Sequence, residues 1–125
     1  LTLLRPGYLP LNLLAGLLGE AELVAYPSLG EGFGLPVLEA MACGAPVVTT
    51  TGGSLPEIAG DAATLIDPGD DTALAAAVAK LATDPAARAD AATRGLARAA
   101  AFTWERCAEL TAAAYARAML ERRDD

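Results

Sequence analysis

The run Glu31-Gly32-Phe33-Gly34-Leu35-Pro36-Val37-Leu38-Glu39-Ala40-Met41-Ala42-Cys43-Gly44 leaves the surrounding chain few options. Gly30, Gly32 and Gly34 crowd a short span after Ser28. Glycine lets backbone turn sharply and approach a ligand closely. The run then continues as an apolar helix-like segment. Pro36 suits the first helical position, where a missing N–H costs nothing. Gly44 suits the position just past the end, where a left-handed residue is wanted. A helix N-terminus behind such a loop offers free N–H groups and a partial positive charge, which favours phosphate. Glu31 falls in the loop and Glu39 further along, inside the helix. The pattern therefore predicts two carboxylates on one crevice, one at its mouth and one deeper.

The flanking residues predict an α/β arrangement. Leu1-Thr2-Leu3-Leu4, broken by Arg5-Pro6-Gly7, reads as a strand. From Leu9 to Glu20, the apolar residues Leu11, Leu14, Ala15, Leu17 and Leu18 fit one helical face. Leu23-Val24-Ala25-Tyr26 reads as a buried strand stopped by Pro27-Ser28, with Tyr26 as strand packing. Pro46-Val47-Val48-Thr49-Thr50 is a second β-rich run, and Ala63-Thr64-Leu65-Ile66 a third. Between them, Leu55-Pro56-Glu57-Ile58-Ala59 predicts one helical turn. Strands alternating with helices give a parallel sheet, whose ligands sit beyond the strand carboxyl ends.

The remainder reads as helix. Asp71 is predicted to cap a helix whose Leu74, Val78 and Leu81 share one face. Asp84-Pro85 caps and starts another, running to about Ala101. Thr103 caps a last helix with Cys107, Leu110, Ala114 and Met119 as an inward stripe. Phe102 and Trp104 read as core anchors, Glu57 as a structural residue, and the tail from Glu121 to Asp125 as frayed.

Composition narrows the function. A 54% hydrophobic content, much of it alanine, points to closely packed helices in one small domain over residues 1–125. The net charge of −7 argues against nucleic-acid binding, which needs a basic face. The chain has no histidine, which removes the commonest general base and metal ligand. Cys43 and Cys107 fit neither a CxxC nor a metal-ligand spacing and read as two buried, reduced thiols in a cytoplasmic setting. No apolar run is long enough to span a bilayer, and no basic leader marks a signal peptide. The first residue is Leu rather than Met, so the chain reads as part of a longer one.

The central run resembles the donor-site signature of family-4 retaining glycosyltransferases, the glycosyl transferases of group 1. Pro27-Ser28 precedes it and Pro46-Val47-Val48 follows it, as in that family. Gly53-Ser54-Leu55-Pro56-Glu57-Ile58, Gly60-Asp61-Ala62-Ala63, Asp67-Pro68-Gly69-Asp70 and Phe102-Thr103-Trp104-Glu105 come in the expected order. The resemblance covers nearly the whole chain. It implies a GT-B architecture, with this chain the second half of the C-terminal, Rossmann-like, nucleotide-sugar-binding domain. It also implies that Glu31 is the catalytic-site glutamate facing the donor sugar hydroxyls, and that Glu39 holds the nucleotide ribose. The backbone N–H groups of Phe33, Gly34 and Leu35 would meet the sugar and diphosphate. Ionised carboxylates accept hydrogen bonds from vicinal diols, and preorganised amides stabilise a departing diphosphate without a metal. The implied donor is a nucleotide-diphosphate sugar, with neither cofactor nor metal. Lys80 is the only lysine and is predicted far from the loop, so a pyridoxal Schiff base has no candidate.

The resemblance also implies absent parts: the opening strands of the domain, with their basic diphosphate contacts, and an N-terminal acceptor domain. Arg5 does not match the family's basic pair. The part alone is therefore expected to be inactive and cytoplasmic, with a peripheral membrane position open to the longer protein. In the usual strand order the missing strands separate the Leu1-Thr2-Leu3-Leu4 run from Leu23-Val24-Ala25-Tyr26. An apolar strand with an open edge invites pairing. Two repairs are expected: the first run slides in beside it, or a second copy of the chain pairs there as a homodimer. The rival functions are a stand-alone nucleotide- or sugar-binding or dimerisation module, and a GT-B nucleotide-sugar epimerase.

Overall fold

The computed structural model describes residues 2–121. The element order is α1 (Leu11–Gly19), β1 (Val24–Tyr26), α2 (Leu35–Ala42), β2 (Val47–Thr50), α3 (Leu55–Ala59), β3 (Thr64–Ile66), α4 (Asp71–Thr83), α5 (Pro85–Ala99) and α6 (Trp104–Glu121). The three strands form one parallel sheet in the order β1-β2-β3. Val24 pairs with Val47 and Tyr26 with Thr49, and Thr49 in turn pairs with Leu65. This is the α/β, Rossmann-like arrangement expected.

All four residues of the central strand are buried. Alternate strand residues point to opposite faces, so a strand buried throughout is covered on both sides. Val37, Ala40 and Met41 of α2 join Ala45, Val47, Leu55, Ala59 and Ala62 in the main core cluster. Helix α5 packs along α2, and Gly95 lets it come close: a Cβ there would lie 3.3 Å from the Met41 Cγ. Helix α4 packs on β2, β3 and α5.

Helix ends follow local chemistry. Gly44 has φ +80° just beyond α2, the left-handed ending expected. Asp84 accepts from the Ala87 N–H at 3.0 Å with Pro85 behind it, and the Thr103 hydroxyl accepts from the Arg106 N–H at 3.1 Å. Arginines close other ends. Arg88 donates to the carbonyls of Leu81 and Ala82 at the close of α4, and Arg98 to those of Ile58 and Glu57 at the close of α3.

Several expectations fail. The cap of α4 is Asp70, which accepts from the Ala73 N–H at 2.8 Å; Asp71 is the first helical residue. Two adjacent aspartates offer the same cap chemistry, and Asp70 is the one whose carboxylate accepts. Leu35 takes the first position of α2 and Pro36 the second. In α1 only Leu14 and Leu18 are half-buried, and the other apolar positions of its expected face are exposed.

The inward stripe of α6 does not exist: Cys107, Leu110, Ala114 and Met119 are all exposed, and α6 buries no residue. Trp104 is 82% exposed rather than a core anchor. Periodicity shows which residues share a face, and no element of the described chain lies opposite this one. The two cysteines are free, but Cys43 is half-buried and Cys107 exposed. Thr2 to Arg5 form no strand and are exposed, so nothing slides in beside β1; Leu1 lies outside the described residues, as does the tail beyond Glu121. Among the described residues the outer edge of β1 is open. No helix among them is long and apolar enough to cross a membrane.

Candidate functional site

Three loops leave the carboxyl ends of the parallel strands at the same end of the sheet, where such folds place their ligands. The loop after β1 is anchored from β2. The buried Thr49 hydroxyl donates to the Tyr26 carbonyl at 2.8 Å, and the buried Thr50 hydroxyl to the Ser28 carbonyl at 2.5 Å. Further out, Glu31 bridges in parallel to Gly53 of the next loop. The Ser54 N–H and hydroxyl both donate to the Glu31 carbonyl, at 3.1 and 3.0 Å, and the hydroxyl also reaches the Phe33 carbonyl at 2.8 Å. Gly53 has φ +61°, and a Cβ there would collide with the Glu31 carbonyl. The second loop is thus zipped onto the first, and only glycine permits the approach.

The carboxylate of Glu31 is held on one side. Its Oε1 accepts from the Tyr26 hydroxyl at 2.6 Å and from the Ser28 hydroxyl at 2.7 Å. These hydrogen bonds, Tyr26 first and Ser28 second, hold the Glu31 carboxyl below its ordinary pKa. The same bond, desolvation and the negative charge of Glu31 raise the pKa of Tyr26. No cation pairs with Glu31, and its Oε2 has no hydrogen-bond partner among the described residues.

Helix α2 begins at Gly34, whose φ of +102° admits only glycine comfortably; a Cβ would also sit 2.7 Å from the Leu55 Cδ2. No side chain caps this end. The Val37 N–H turns back to the Gly34 carbonyl at 3.0 Å, and Pro36 has no N–H to offer. The N–H groups of Phe33, Gly34 and Leu35 donate to no acceptor among the described residues. Leu35 and Pro36 are exposed, whereas Gly34 itself is buried against Leu55. The Phe33 ring, 46% exposed, meets Phe102 edge-to-face at 6.3 Å, and the Arg98 guanidinium lies 5.0 Å from the Phe102 ring centre.

Glu31, Phe33, Gly34 and Leu35 are therefore gathered at one end of the sheet. Glu39 stands one turn along α2 from Leu35, exposed, on the groove toward α1 that Leu14, Leu18 and Cys43 also line. It makes no ion pair among the described residues, and it shares no hydrogen-bond partner with Glu31. Glu57 is exposed, and its carbonyl serves Arg98. Sequence reasoning missed Tyr26, Ser28 and Ser54. The signal was available for Tyr26: it is the last residue of a strand at the ligand end of a parallel sheet.

The family model described as glycosyl transferases group 1 matches residues 5–98. The chain belongs to this family. Among its relatives, the O-antigen chain mannosyltransferase B of Escherichia coli is 47% identical over 87% of this chain and 29% of its own. The MMP alpha-(1->4)-mannosyltransferase of Mycolicibacterium hassiacum is 40% identical over 85% of this chain and 27% of its own. The sucrose-phosphate synthase of Thermosynechococcus elongatus superposes with a TM-score of 0.75 at 33% identity, over 87% of this chain and 28% of that one. The chain thus spans under a third of the length of each of these relatives. Its parallel sheet and flanking helices are the α/β, GT-B-type arrangement that the resemblance implied.

Proposed function

We propose that this chain is the donor-binding part of a metal-independent, retaining glycosyltransferase, and that it holds a nucleotide-diphosphate sugar at the carboxyl end of its sheet. The observation that carries the reading is the row of unused N–H groups at Phe33, Gly34 and Leu35 beside a carboxylate, Glu31, with one free oxygen. In glycosyl transfer the bond from the anomeric carbon to the diphosphate breaks, and negative charge grows on the departing phosphate oxygens. Fixed amides at a helix N-terminus stabilise that charge without reorganising. Glu31 accepts hydrogen bonds from sugar hydroxyls, and Glu39, further along the same helix stripe as Leu35, takes the ribose hydroxyls. The names of two relatives favour a mannosyl donor. The chain alone is inactive in this reading, since it spans only 29% of its mannosyltransferase relative from Escherichia coli.

Isothermal calorimetry of GDP-mannose and UDP-glucose against this chain and its Glu39→Ala variant tests the reading. Binding that falls at least tenfold in the variant supports it, at the scale of a charge-assisted hydrogen-bond pair. Binding indifferent to Glu39 removes the ribose role. Transfer, and the anomeric configuration of the product, are assayed on the whole protein.

The open edge of β1 favours a second feature, a homodimer paired along Leu23 to Tyr26. The Val24 N–H faces β2, donating to the Pro46 carbonyl at 2.8 Å, so by strand alternation that of Ala25 faces outward. Ala25→Pro removes this outward donor at an edge position that tolerates proline. A dimer in sedimentation equilibrium that dissociates in the variant supports the pairing; a monomeric unsubstituted chain rejects it.

A further inference from the structure

Two features of the Glu31 side chain go beyond ligand contact. Both of its protein donors converge on the same oxygen, Oε1, although a carboxylate offers four acceptor directions over two oxygens. Both donors are themselves fixed. Tyr26 ends β1, with its carbonyl held by the buried Thr49 hydroxyl, and the Ser28 carbonyl is held by the buried Thr50 hydroxyl. The central strand thus fixes the backbone from which the two hydroxyls reach, and the hydroxyls hold the carboxylate. An unsupported glutamate on a glycine-rich loop would sample many rotamers and lose that freedom when a ligand binds. Here the orientation is set before the ligand arrives. No other titratable side chain hydrogen-bonds or ion-pairs to Glu31 among the described residues.

We propose that Tyr26 and Ser28 are positioning residues that clamp Oε1 of Glu31 so that Oε2 is presented to the hydroxyls of the donor sugar, and that this clamp sets the preference for a sugar-bearing nucleotide diphosphate over the bare one. The ligand half of this statement rests on the donor-site reading above. The clamp half stands on the protein alone, and the two are measured separately.

The first measurement is the titration of the Glu31 carboxyl carbon by NMR in the ligand-free chain. In the unsubstituted protein it titrates below the ordinary glutamate range, the direction that two donors to the charged form impose. Tyr26→Phe keeps the ring and removes only the hydroxyl, and Ser28→Ala removes the other donor. Each raises the Glu31 titration midpoint, and Ser28→Thr, which keeps a hydroxyl, does not. An unmoved midpoint in both deletion variants overturns the clamp whether or not any ligand binds.

The second measurement is the ratio of affinities for GDP-mannose and GDP, by calorimetry. Tyr26→Phe lowers this ratio by on the order of tenfold, the scale of one hydrogen bond to a charged group, and leaves GDP affinity within about twofold. Ser28→Thr preserves the ratio. Equal losses for both ligands show that the hydroxyls serve the fold rather than the sugar, and overturn the proposal. An unsubstituted chain that binds GDP-mannose no better than GDP overturns the ligand half and the donor-site reading together, while the titration still decides the clamp.

Discussion

Helices α2 and α6 are both rich in alanine and apolar residues, yet their fates differ. The eight residues of α2 bury Val37, Leu38, Ala40 and Met41; the eighteen of α6 bury none. Helix α2 lies between α1 and α5 and against the sheet, so its apolar side chains have partners on several sides. Helix α6 has a cap and an Arg106–Glu109 ion pair, but no body of the described chain to receive its apolar side. An apolar face is therefore necessary for burial and not sufficient. Local signals fix where a helix starts, and only a partner fixes whether it packs.

The sharpest way to break this contrast is to make the same deletion in both regions. Met41 is fully buried, while Met119 is 67% exposed. Met41→Ala removes the side chain that Gly95 was made small to admit, and is expected to cost about 2–5 kcal/mol in urea unfolding. Met119→Ala is expected to fall within about 0.5 kcal/mol of the unsubstituted chain. Similar costs at the two positions would mean that α6 packs in solution.

Caps give a finer version of the same test. Asp70 and Thr103 each accept one N–H at a helix start, at 2.8 and 3.1 Å. Helix α4 is packed on the sheet and α6 is not. Asp70→Ala is expected to lower global stability by about 1 kcal/mol. Thr103→Ala should lower helical circular dichroism slightly and leave the unfolding midpoint of the domain in place, because fraying of an unpacked helix is not coupled to the core. Asp71→Ala, at the first helical residue, should cost only a few tenths of a kcal/mol, the scale of a charge near the helix dipole.

The pH dependence separates the clamped loop from the rest. Glu31 has a folded pKa below its unfolded value. Its contribution to stability is therefore fully present above the unfolded pKa and disappears as pH falls through the lowered folded one. Tyr26 has a raised folded pKa, so its contribution holds below its unfolded pKa and disappears as pH rises through the folded one. The Tyr26–Glu31 bond thus persists from mildly acidic to mildly alkaline conditions. Unfolding free energy measured against pH should show a smaller acid-side loss in Tyr26→Phe than in the unsubstituted chain.

Much of this was legible in the residues. Pro27 and Pro46 frame two strands, Asp84-Pro85 starts a helix, and Gly44 ends one, because each is a local choice with a local cause. The loop-and-helix site was legible for the same reason, with Gly34 and Gly53 at the points of closest approach. What escaped was whatever depended on distant partners. Nothing local says that Ser54 clasps the loop from a following segment, whereas the Tyr26–Glu31 bond spans five residues and its signal lay in the place of Tyr26 at the strand end. The strand expected at Leu1-Thr2-Leu3-Leu4 had the right composition, but Thr2 to Leu4 have no neighbouring strand to bond. The α6 stripe failed in the same way.

The smallest expected effect is therefore the most informative about α6. An isolated helix of eighteen residues is marginal in water, since nucleation is costly and tertiary packing supplies most helical stability. A chain ending at Phe102 keeps the half-buried Phe102 ring on Phe33 and Arg98, and with it the corner that steadies the site loop. It should unfold within about 0.5 kcal/mol of the longer chain, as for a surface change remote from the core. In hydrogen exchange, the amides of α6 should exchange faster than those of α2 and α5 by orders of magnitude, since only the latter open with the whole domain. Protection of α6 equal to that of α2 would require a partner for its apolar side, and the contrast between the two helices would then be one of assembly rather than of sequence.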